Sequence, residues 1–424
     1  MKTIIAALQA NPRVSDYKLN LSKKESYESF YVKGKLETVR CTDTCDKVVT
    51  VYVDHDGFKG DSQFYVYPST TEEELKELIE KAVEKAALLN NKMYTLPEKE
   101  TGEFEVESNF SAYTQAELAG RIAHCVFAAN TVENADLNSV EVFVNRHTDT
   151  VCNSRGIQKT QVRYDAMVEA IPTYNGETES VELYQQYNFS TFDEKTVTQE
   201  IAEKLQEVKA RASAVKPEFS LNCKVILNKQ ELGELFGTLC RELNYATVYA
   251  QSGVFHKGDD VQAAPTGDRI TITMAGSLPG NIRSAHFDGD GMTLRDTVIV
   301  EEGKAVAYYG ANRFGQYLEE VPTGNLRCIR VAPGSACEKC LSEGPYLEVL
   351  SMSGLQVDTF TDYIGGEIRL AYYFDGRKIT PVTGISITGS LKQVLASLRL
   401  STEIAVDDGY TGPAKAILQD MKIF

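Results

Sequence analysis

The sequence has no tryptophan and only five histidines among its 424 residues, and it contains no block of basic residues. Its formal net charge of −16 disfavours general binding to nucleic-acid phosphates, which needs a surplus of Lys and Arg. No apolar run reaches the roughly 18 residues that a membrane-spanning helix needs. No nucleophile elbow, phosphate-binding loop or dinucleotide fingerprint occurs either, so the sequence gives no support for the enzyme classes that carry these motifs.

The composition that remains is that of a folded protein, with 42% apolar and 25% charged residues. The length is enough for two or three domains. The opening residues carry a short apolar stretch without a small-residue cleavage pattern, so they predict a first helix and not a signal peptide. Nine cysteines without a secretion signal indicate reduced thiols and a cytoplasmic protein.

The first half of the chain predicts antiparallel strands with helices. Alternating residues predict strands at 28–39, 47–53 and 63–67, with Asp56-Gly57 and Lys59-Gly60 as turns. Thr71 and Glu74 form the pattern of a capping box, which predicts a helix start. Further helices are predicted at 114–129 and 193–214, and further strands at 139–146, 150–153, 159–173 and 181–189.

In the longest of these predicted strands, Gln161, Arg163 and Asp165 alternate with Val162, Tyr164 and Ala166. Such alternation predicts a sheet with one face toward water. Lys216-Pro217 then breaks the helical pattern, and we place a domain boundary there. The predicted fold class is α+β: an N-terminal domain of antiparallel sheet plus helices (1–216) and a strand-rich C-terminal domain with a central helix (217–424).

The central helix is predicted from the segment VILNKQELGELFGTLCRELN, residues 225–244, which follows a short strand. Its apolar residues recur with the spacing of one helix face, and the pattern alone predicts a core helix. These residues are Leu232, Leu235, Phe236, Leu239 and Leu243. In the rest of this domain, strands are predicted at 269–274, 297–301, 304–309, 345–351, 354–361, 367–375 and 378–388, and a last helix at 391–400.

Three longer stretches resemble the TldD/PmbA family, the "modulator of DNA gyrase" proteins. The stretch VKGKLETVRCTDTCDKVVTVYVDHDGFKGDSQF is similar to the family's N-terminal sheet. The stretch FDGDGMTLRDTVIVEEGKAVAYYGANRFGQYL, followed by TGNLR, is similar to its hairpin and its threonine-glycine-asparagine segment. ITPVTGISITGSLKQVLASL is similar to its C-terminal strand, glycine and helix, so the resemblance covers most of the chain.

The resemblance implies where a zinc site would lie. Peptidase-type members carry a His-Glu-x-x-x-His motif on the central helix, in which the two His bind zinc and the Glu acts as the base. The equivalent segment here has no His and no Glu, and no His occurs between Thr148 and Phe255. Its residues are Phe236, Gly237, Thr238, Leu239, Cys240 and Arg241. The chain therefore resembles the PmbA/TldE branch, which lacks the motif, and we expect no catalytic residue, metal or cofactor.

Three other patterns resemble metal or redox sites, but each is better explained without such a site. Cys41-x-x-x-Cys45 and Cys337-x-x-Cys340 lie too far apart in sequence for a usual zinc site. The second pair could be redox-active, but its surroundings predict a loop with no thioredoxin-like unit. The segment from Asp288 to Gly291 starts like a calcium loop but lacks the Glu at its twelfth position, so we expect a turn.

The resemblance implies a subunit of a metalloprotease complex that is not catalytic by itself. Such a subunit would shape a cavity for unfolded peptide, lined by the motif-equivalent segment and by Thr323, Gly324 and Asn325. Its expected partner is a TldD-type peptidase chain or a second copy, joined mainly through residues after Pro217 over at least about 2,000 Å². No direct contact with nucleic acid or membrane is expected.

Two other functions stay open. The chain could be a homodimeric peptide-binding or scaffold protein that acts without a peptidase partner. It could also be a hydrolase whose ligands have moved to His256, His286, Asp288 or the two cysteine pairs.

Overall fold

The structure is a computed structural model, and it describes residues 1–177, 180–218 and 220–424. Strands of the first half form one sheet in the order β3-β2-β1-β5-β6-β4, with β7 and β8 also paired to β6. Their bounds are β1 (Asp16–Val32), β2 (Lys35–His55), β3 (Phe58–Tyr65), β4 (Thr101–Glu105), β5 (Ala135–Asn153), β6 (Gln158–Asn175), β7 (Ser180–Glu182) and β8 (Gln185–Phe189). The neighbours are antiparallel except β4 and β6, which are parallel.

Helices cover this sheet in two groups. The helices are α1 (Lys2–Ala10), α2 (Glu72–Ala86), α3 (Gln115–Ala128) and α4 (Glu194–Ala212). One apolar core lies between α1, α2 and the first strands, and a second lies between α3, α4 and the strands β5 and β6. The first helix and the capping box of Thr71 and Glu74 are confirmed.

One predicted strand and one predicted turn of the first sheet are corrected. The segment 28–39 is not one strand, because a hairpin turn at Lys33 and Gly34, both with positive φ, separates β1 from β2. Lys59-Gly60 is not a turn and lies within β3. A Cβ on Gly60 would come within 1.7 Å of the Ala86 carbonyl oxygen, so this glycine serves the close approach of α2. The predicted turn at Asp56-Gly57 is confirmed.

The second half forms two further sheets. One has the order β12-β11-β10-β13-β21-β20, and the other has the order β19-β22-β9-β14-β16-β18-β23, with β15 and β17 on β16. The strands are β9 (Lys224–Asn228), β10 (Ile272–Ala275), β11 (Thr297–Glu301), β12 (Lys304–Ala305), β13 (Cys328–Val331), β14 (Tyr346–Met352), β15 (Gln356–Asp358), β16 (Tyr363–Phe374), β17 (Ile379–Val382), β18 (Ile385–Ser390), β19 (Arg399–Leu400), β20 (Ile404–Asp407), β21 (Tyr410–Pro413), β22 (Lys415–Leu418) and β23 (Lys422–Ile423). The α+β fold class is therefore confirmed.

The helix α5 (Lys229–Glu242) lies in the core of this half. Its predicted packing face is confirmed, since Leu232, Leu235, Phe236, Leu239 and Leu243 are each at most 1% exposed. The other helices of this half are α6 (Tyr245–Tyr249), α7 (Asn312–Tyr317), α8 (Glu338–Ser342) and α9 (Leu391–Ser397).

Several predicted elements of the second half are shorter than expected. The segment 304–309 is a strand only over its first two residues, and the segment 378–388 divides into β17 and β18 at a glycine with positive φ, Gly384. The last helix ends at Ser397, not at residue 400.

The two halves meet across the polar face of the first sheet. Gln161 is 4% exposed, and its amide oxygen accepts hydrogen bonds from the backbone N–H groups of His286 and Phe287. Lys159 is fully buried and donates to Thr293. The prediction that this face meets water is therefore wrong at Gln161, because a loop of the second half covers it.

A second contact between the halves involves α7. Asn312 and Gln316 both donate their side-chain N–H groups to the carbonyl oxygen of Thr95, and Tyr317 donates its hydroxyl to that of Lys92. In the described part of the chain, no helix is both long and apolar enough to cross a membrane.

Candidate functional site

The motif-equivalent segment, Phe236 to Arg241, occupies the second half of α5. Phe236, Leu239 and Cys240 are buried, whereas Arg241 is exposed. Along the outer side of the helix, Arg241 donates to the Thr238 hydroxyl over 2.6 Å, and that hydroxyl donates to the Glu234 carbonyl oxygen over 3.0 Å. Within this segment, the solvent-facing side of α5 therefore presents the Arg241 cation and the Thr238 hydroxyl.

These residues do not fit a zinc ion. Cys240 is the one side chain of the segment that could ligate zinc, and a cysteine does so as its thiolate. Burial raises the pKa of the Cys240 thiol to about 12, which keeps it protonated. Within residues 1–177, 180–218 and 220–424, no group of three or more His, Cys, Asp or Glu lies together as metal ligands would.

The second predicted segment lies where the two halves of the chain meet. Thr323 is 8% exposed, and its hydroxyl accepts a hydrogen bond from the backbone N–H of Gly310. Gly324 has a φ of 80°, and a Cβ there would come within 2.6 Å of the Leu294 side chain. Asn325 is exposed and donates its backbone N–H to the Asp288 carboxylate over 2.8 Å. Thr323 and Gly324 thus shape the backbone, and Asn325 is the residue that reaches open space.

Asn325 lines a cavity of about 340 Å³ between the first sheet and loops of the second half. We call this cavity the interface groove. Its volume lies within the range of small-ligand and peptide-residue pockets. It is lined by Asn20, Leu21, Ser22, Asp149, Thr150, Val151, Gln161, Arg163, Ile282, Arg283, Ala285, Phe287, Asp288, Gly289, Leu294, Asn325 and Arg327.

The interface groove has a surplus of positive charge in a protein that is acidic as a whole. Arg163 places two guanidinium nitrogens 2.9 and 3.1 Å from one oxygen of Asp149, so these two charges offset each other. Arg283 is 54% exposed and lies 4.0 Å from Asp408. Arg327 is exposed and forms no ion pair with any residue that the structure describes. Arg327 therefore remains available to an anionic or carbonyl-bearing ligand, and Arg283 is held only by its long contact with Asp408.

The Asp288 carboxylate at the edge of the groove is occupied by the protein. One oxygen accepts the backbone N–H groups of Asp290 and Met292, and the other accepts that of Asn325. Burial, with the nearby Asp290 charge, raises the pKa of Asp288 above its ordinary value. Asp290 in turn pairs with Lys18 of β1 over 2.5 Å. The predicted turn is confirmed, and its carboxylates bind backbone N–H groups and the Lys18 ammonium group.

The residues considered for a relocated hydrolase site are not brought together. His256 is exposed and lies 3.6 Å from Asp259. His286 contacts the Glu105 carbonyl oxygen and stacks on Phe104 with ring centroids 5.3 Å apart. One cysteine pair lies on β2 of the first sheet, and the other lies at α8 in the second half of the chain.

Sequence reasoning missed the arginines of the groove. Arg163 belongs to the alternating pattern of β6, whereas Arg283 and Arg327 lie in loops without a periodic pattern. Arg163 is separated from the other two arginines by more than a hundred residues, so no local spacing connects it to them.

The interface groove lies close to α5 through β13. This strand follows Arg327 and passes α5, where a Cβ on Gly237 would lie 3.8 Å from the Ile329 side chain. The groove and the outer side of α5 are therefore joined by one strand.

Comparison with known proteins places this architecture in a family. Residues 220–423 match the family model described as the PmbA/TldA metallopeptidase C-terminal domain. No curated protein matches the chain.

Solved structures match the chain over its whole length. One is TldE from Thermococcus kodakarensis, with a TM-score of 0.80, 14% identity and coverage of 100% of this chain and 99% of that one. A protein from Thermotoga maritima, described as a candidate modulator of a DNA gyrase, gives a TM-score of 0.79 at 14% identity, with coverage of 100% and 99%. A similarly described protein from Bacteroides thetaiotaomicron gives 0.78 at 14% identity, with coverage of 100% and 97%.

At this identity the solved structures establish the fold alone, and the match to the C-terminal domain adds the family. The earlier resemblance, found in the hairpin, the threonine-glycine-asparagine segment and the last helix, is thereby confirmed. The C-terminal half of the chain, residues 220–423, belongs to the TldD/PmbA metallopeptidase family.

Proposed function

We propose that this chain is the subunit of a TldD/PmbA-type metallopeptidase complex that lacks the zinc motif and holds unfolded peptide for the zinc of a partner chain. One observation supports the proposal: α5 buries an apolar face, and the segment that the resemblance equates with the zinc motif has Phe236, Gly237 and Arg241 in place of its two His and its Glu. By this proposal the chain does not hydrolyse peptide by itself. Its nine free cysteines are compatible with the cytoplasm, where we place it.

The interface groove is the proposed contact with peptide. Arg283 and Arg327 can each donate to a peptide carboxylate or to backbone carbonyl oxygens, while Leu21, Phe287 and Leu294 offer apolar contacts. Asn325 adds an amide that can pair with an extended backbone. Unfolded peptides with acidic side chains are therefore the favoured ligands.

Native mass spectrometry tests the subunit role. The chain is expressed alone and with a TldD-type chain that carries His-Glu-x-x-x-His. We expect a defined complex containing both chains, and peptide hydrolysis only when both are present. If the 47.0 kDa chain stays a monomer with no mass shift in the presence of the partner, the subunit role is wrong. A stable homodimer that does not bind the partner chain would instead support the scaffold function.

Arginine variants test the groove separately from assembly. Arg327→Gln should weaken binding of an acidic unfolded peptide about tenfold, because one charge-assisted hydrogen bond contributes about 1.5 kcal/mol. Arg377→Gln is the matched control, since Arg377 is an exposed arginine in the turn between β16 and β17, outside the groove. Both variants should assemble normally. Equal peptide affinity in the two variants would remove the groove from the proposal.

A further inference from the structure

Cys337 and Cys340 lie at the start of α8, with Cys337 at its N-cap. Their Sγ atoms are 3.2 Å apart, Cys337 is exposed, and Cys340 is partly exposed. Sulfur atoms at this distance need a small movement to reach the S–S bond length of about 2.05 Å. The pair is thus both close enough to join and open to a reagent.

The backbone on both sides of the pair is anchored. Ala336, directly before Cys337, is 1% exposed and exchanges backbone hydrogen bonds with Leu400 and Thr402. After the pair, Lys224 donates its ammonium group to the carbonyl oxygens of Cys340 and Glu343, each over 2.7 Å. These contacts hold the turn that brings the two sulfur atoms together.

The surroundings of Cys340 favour its thiolate. The Cys337 thiol hydrogen-bonds to the Cys340 sulfur, and the Arg399 guanidinium lies 3.8 Å from it, which together hold the pKa of Cys340 below its ordinary value. The thiolate is the nucleophilic form of cysteine. Cys340 Sγ is therefore the nucleophile that reacts first, and the adjacent Cys337 Sγ is the one that reacts second.

The other cysteines lack this combination. Burial raises the pKa of five of them: Cys125, Cys152, Cys223, Cys240 and Cys328. Cys41 and Cys45 are exposed, but they lie four residues apart on the extended strand β2. That spacing puts their Cα atoms roughly 13 Å apart, too far for an internal disulfide.

We propose that Cys337 and Cys340 form a dithiol–disulfide couple that exchanges with low-molecular-weight disulfides of the glutathione class. The Cys340 thiolate attacks one sulfur of the small disulfide, forms a mixed disulfide and releases one thiolate. The Cys337 sulfur, after giving up its proton to solvent, attacks Cys340 Sγ and releases the second. Two protein thiols are oxidised to one disulfide, and one small disulfide is reduced to two thiols.

Mass spectrometry of the full chain tests the couple. The reduced protein is equilibrated with mixtures of reduced and oxidised glutathione, acid-quenched, alkylated and digested. We expect loss of the Cys337 and Cys340 thiols together, as one peptide carrying an internal disulfide. Cys337→Ser should stop at a glutathione adduct on Cys340. If both thiols remain free, or become glutathionylated singly in the wild-type protein, the couple does not exist.

Two controls separate the couple from general thiol reactivity. The double variant Cys41→Ser/Cys45→Ser removes the other accessible pair of cysteines and should leave the 337–340 disulfide unchanged. Arg399→Gln should slow alkylation of Cys340 by iodoacetamide severalfold, and Arg399→Lys should restore most of the rate. If alkylation of Cys340 is no faster than that of Cys41, the assignment of Cys340 as the attacking sulfur is wrong.

Discussion

Phe236 and Tyr410 stack with their ring centroids 6.2 Å apart and their planes 6° from parallel. Phe236 opens the segment that we propose as the equivalent of the zinc motif, and Tyr410 begins β21 on the neighbouring sheet. Both rings are at most 2% exposed, and burial raises the pKa of Tyr410 above its ordinary value. The start of the proposed motif-equivalent segment is thus part of the apolar core.

Leu239→Ala should lower the free energy of unfolding by roughly 2–5 kcal/mol. Leu239 is 1% exposed, and its truncation leaves a cavity in addition to the lost burial. Urea denaturation at fixed pH measures the change. An unchanged midpoint would mean that α5 packs through another face.

Gly237→Ala is the matched control on the same helix. Gly237 is partly exposed, and a Cβ would meet only ordinary contacts at 3.7 and 3.8 Å. Since alanine favours helix over glycine by about 1 kcal/mol, this variant should be as stable as the wild type or more so. A loss as large as that of Leu239→Ala would show that the two sides of α5 do not differ in packing.

The purified chain should bind no stoichiometric zinc. A catalytic zinc needs about three protein ligands, and the Phe236–Arg241 segment offers one buried, protonated thiol. Elemental analysis after dialysis measures the content. The variant Cys337→Ser/Cys340→Ser shows whether any zinc that is found is bound by this cysteine pair. One tightly held zinc that persists in this variant would contradict the prediction.

The protein should not bind duplex DNA at physiological salt. A net charge of −16 repels the phosphate backbone, and the arginines of the groove are too few to offset it. A gel-shift assay across a salt series tests this. Micromolar binding that weakens steeply with salt would show a basic surface that the charge distribution does not suggest.

Stability should fall between pH 5 and 8 because of Glu231. This residue in the first turn of α5 is 6% exposed, and burial raises the pKa of its carboxyl to about 7. The unfolded value is about 4.3, so the folded state holds an extra proton between these values. Its contribution is complete below about pH 4 and is lost as the pH rises through about 7.

The variant Glu231→Gln isolates this effect, since its amide does not ionise. The decline in unfolding free energy between pH 5 and 8 should be smaller than in the wild type by on the order of 3 kcal/mol. Asp407, whose pKa burial raises to about 6, contributes a remaining slope. Glu234→Gln on the exposed side of α5 should keep the wild-type slope. Identical slopes in Glu231→Gln and wild type would refute the assignment.

Local chemistry determined the elements that the sequence predicted well. The capping box of Thr71 and Glu74 closes within four residues, and both of its hydrogen bonds form as expected. The spacing of Leu232, Leu235 and Leu239 places them on one face whatever packs against it. The resemblance to the TldD/PmbA family likewise rests on stretches of contiguous sequence.

Tertiary structure decided what depends on distant residues. Lys33-Gly34 and Lys59-Gly60 are the same dipeptide, yet the first is a turn and the second lies in a strand, where the end of α2 needs a residue without a side chain. Gln161 alternates like a solvent-facing residue, but a loop more than a hundred residues later covers it. The arginines of the interface groove and the pairing of Cys340 with Arg399 likewise join distant segments. Local sequence specifies backbone preference and amphipathic faces, whereas burial and close contact arise only when separate elements pack together.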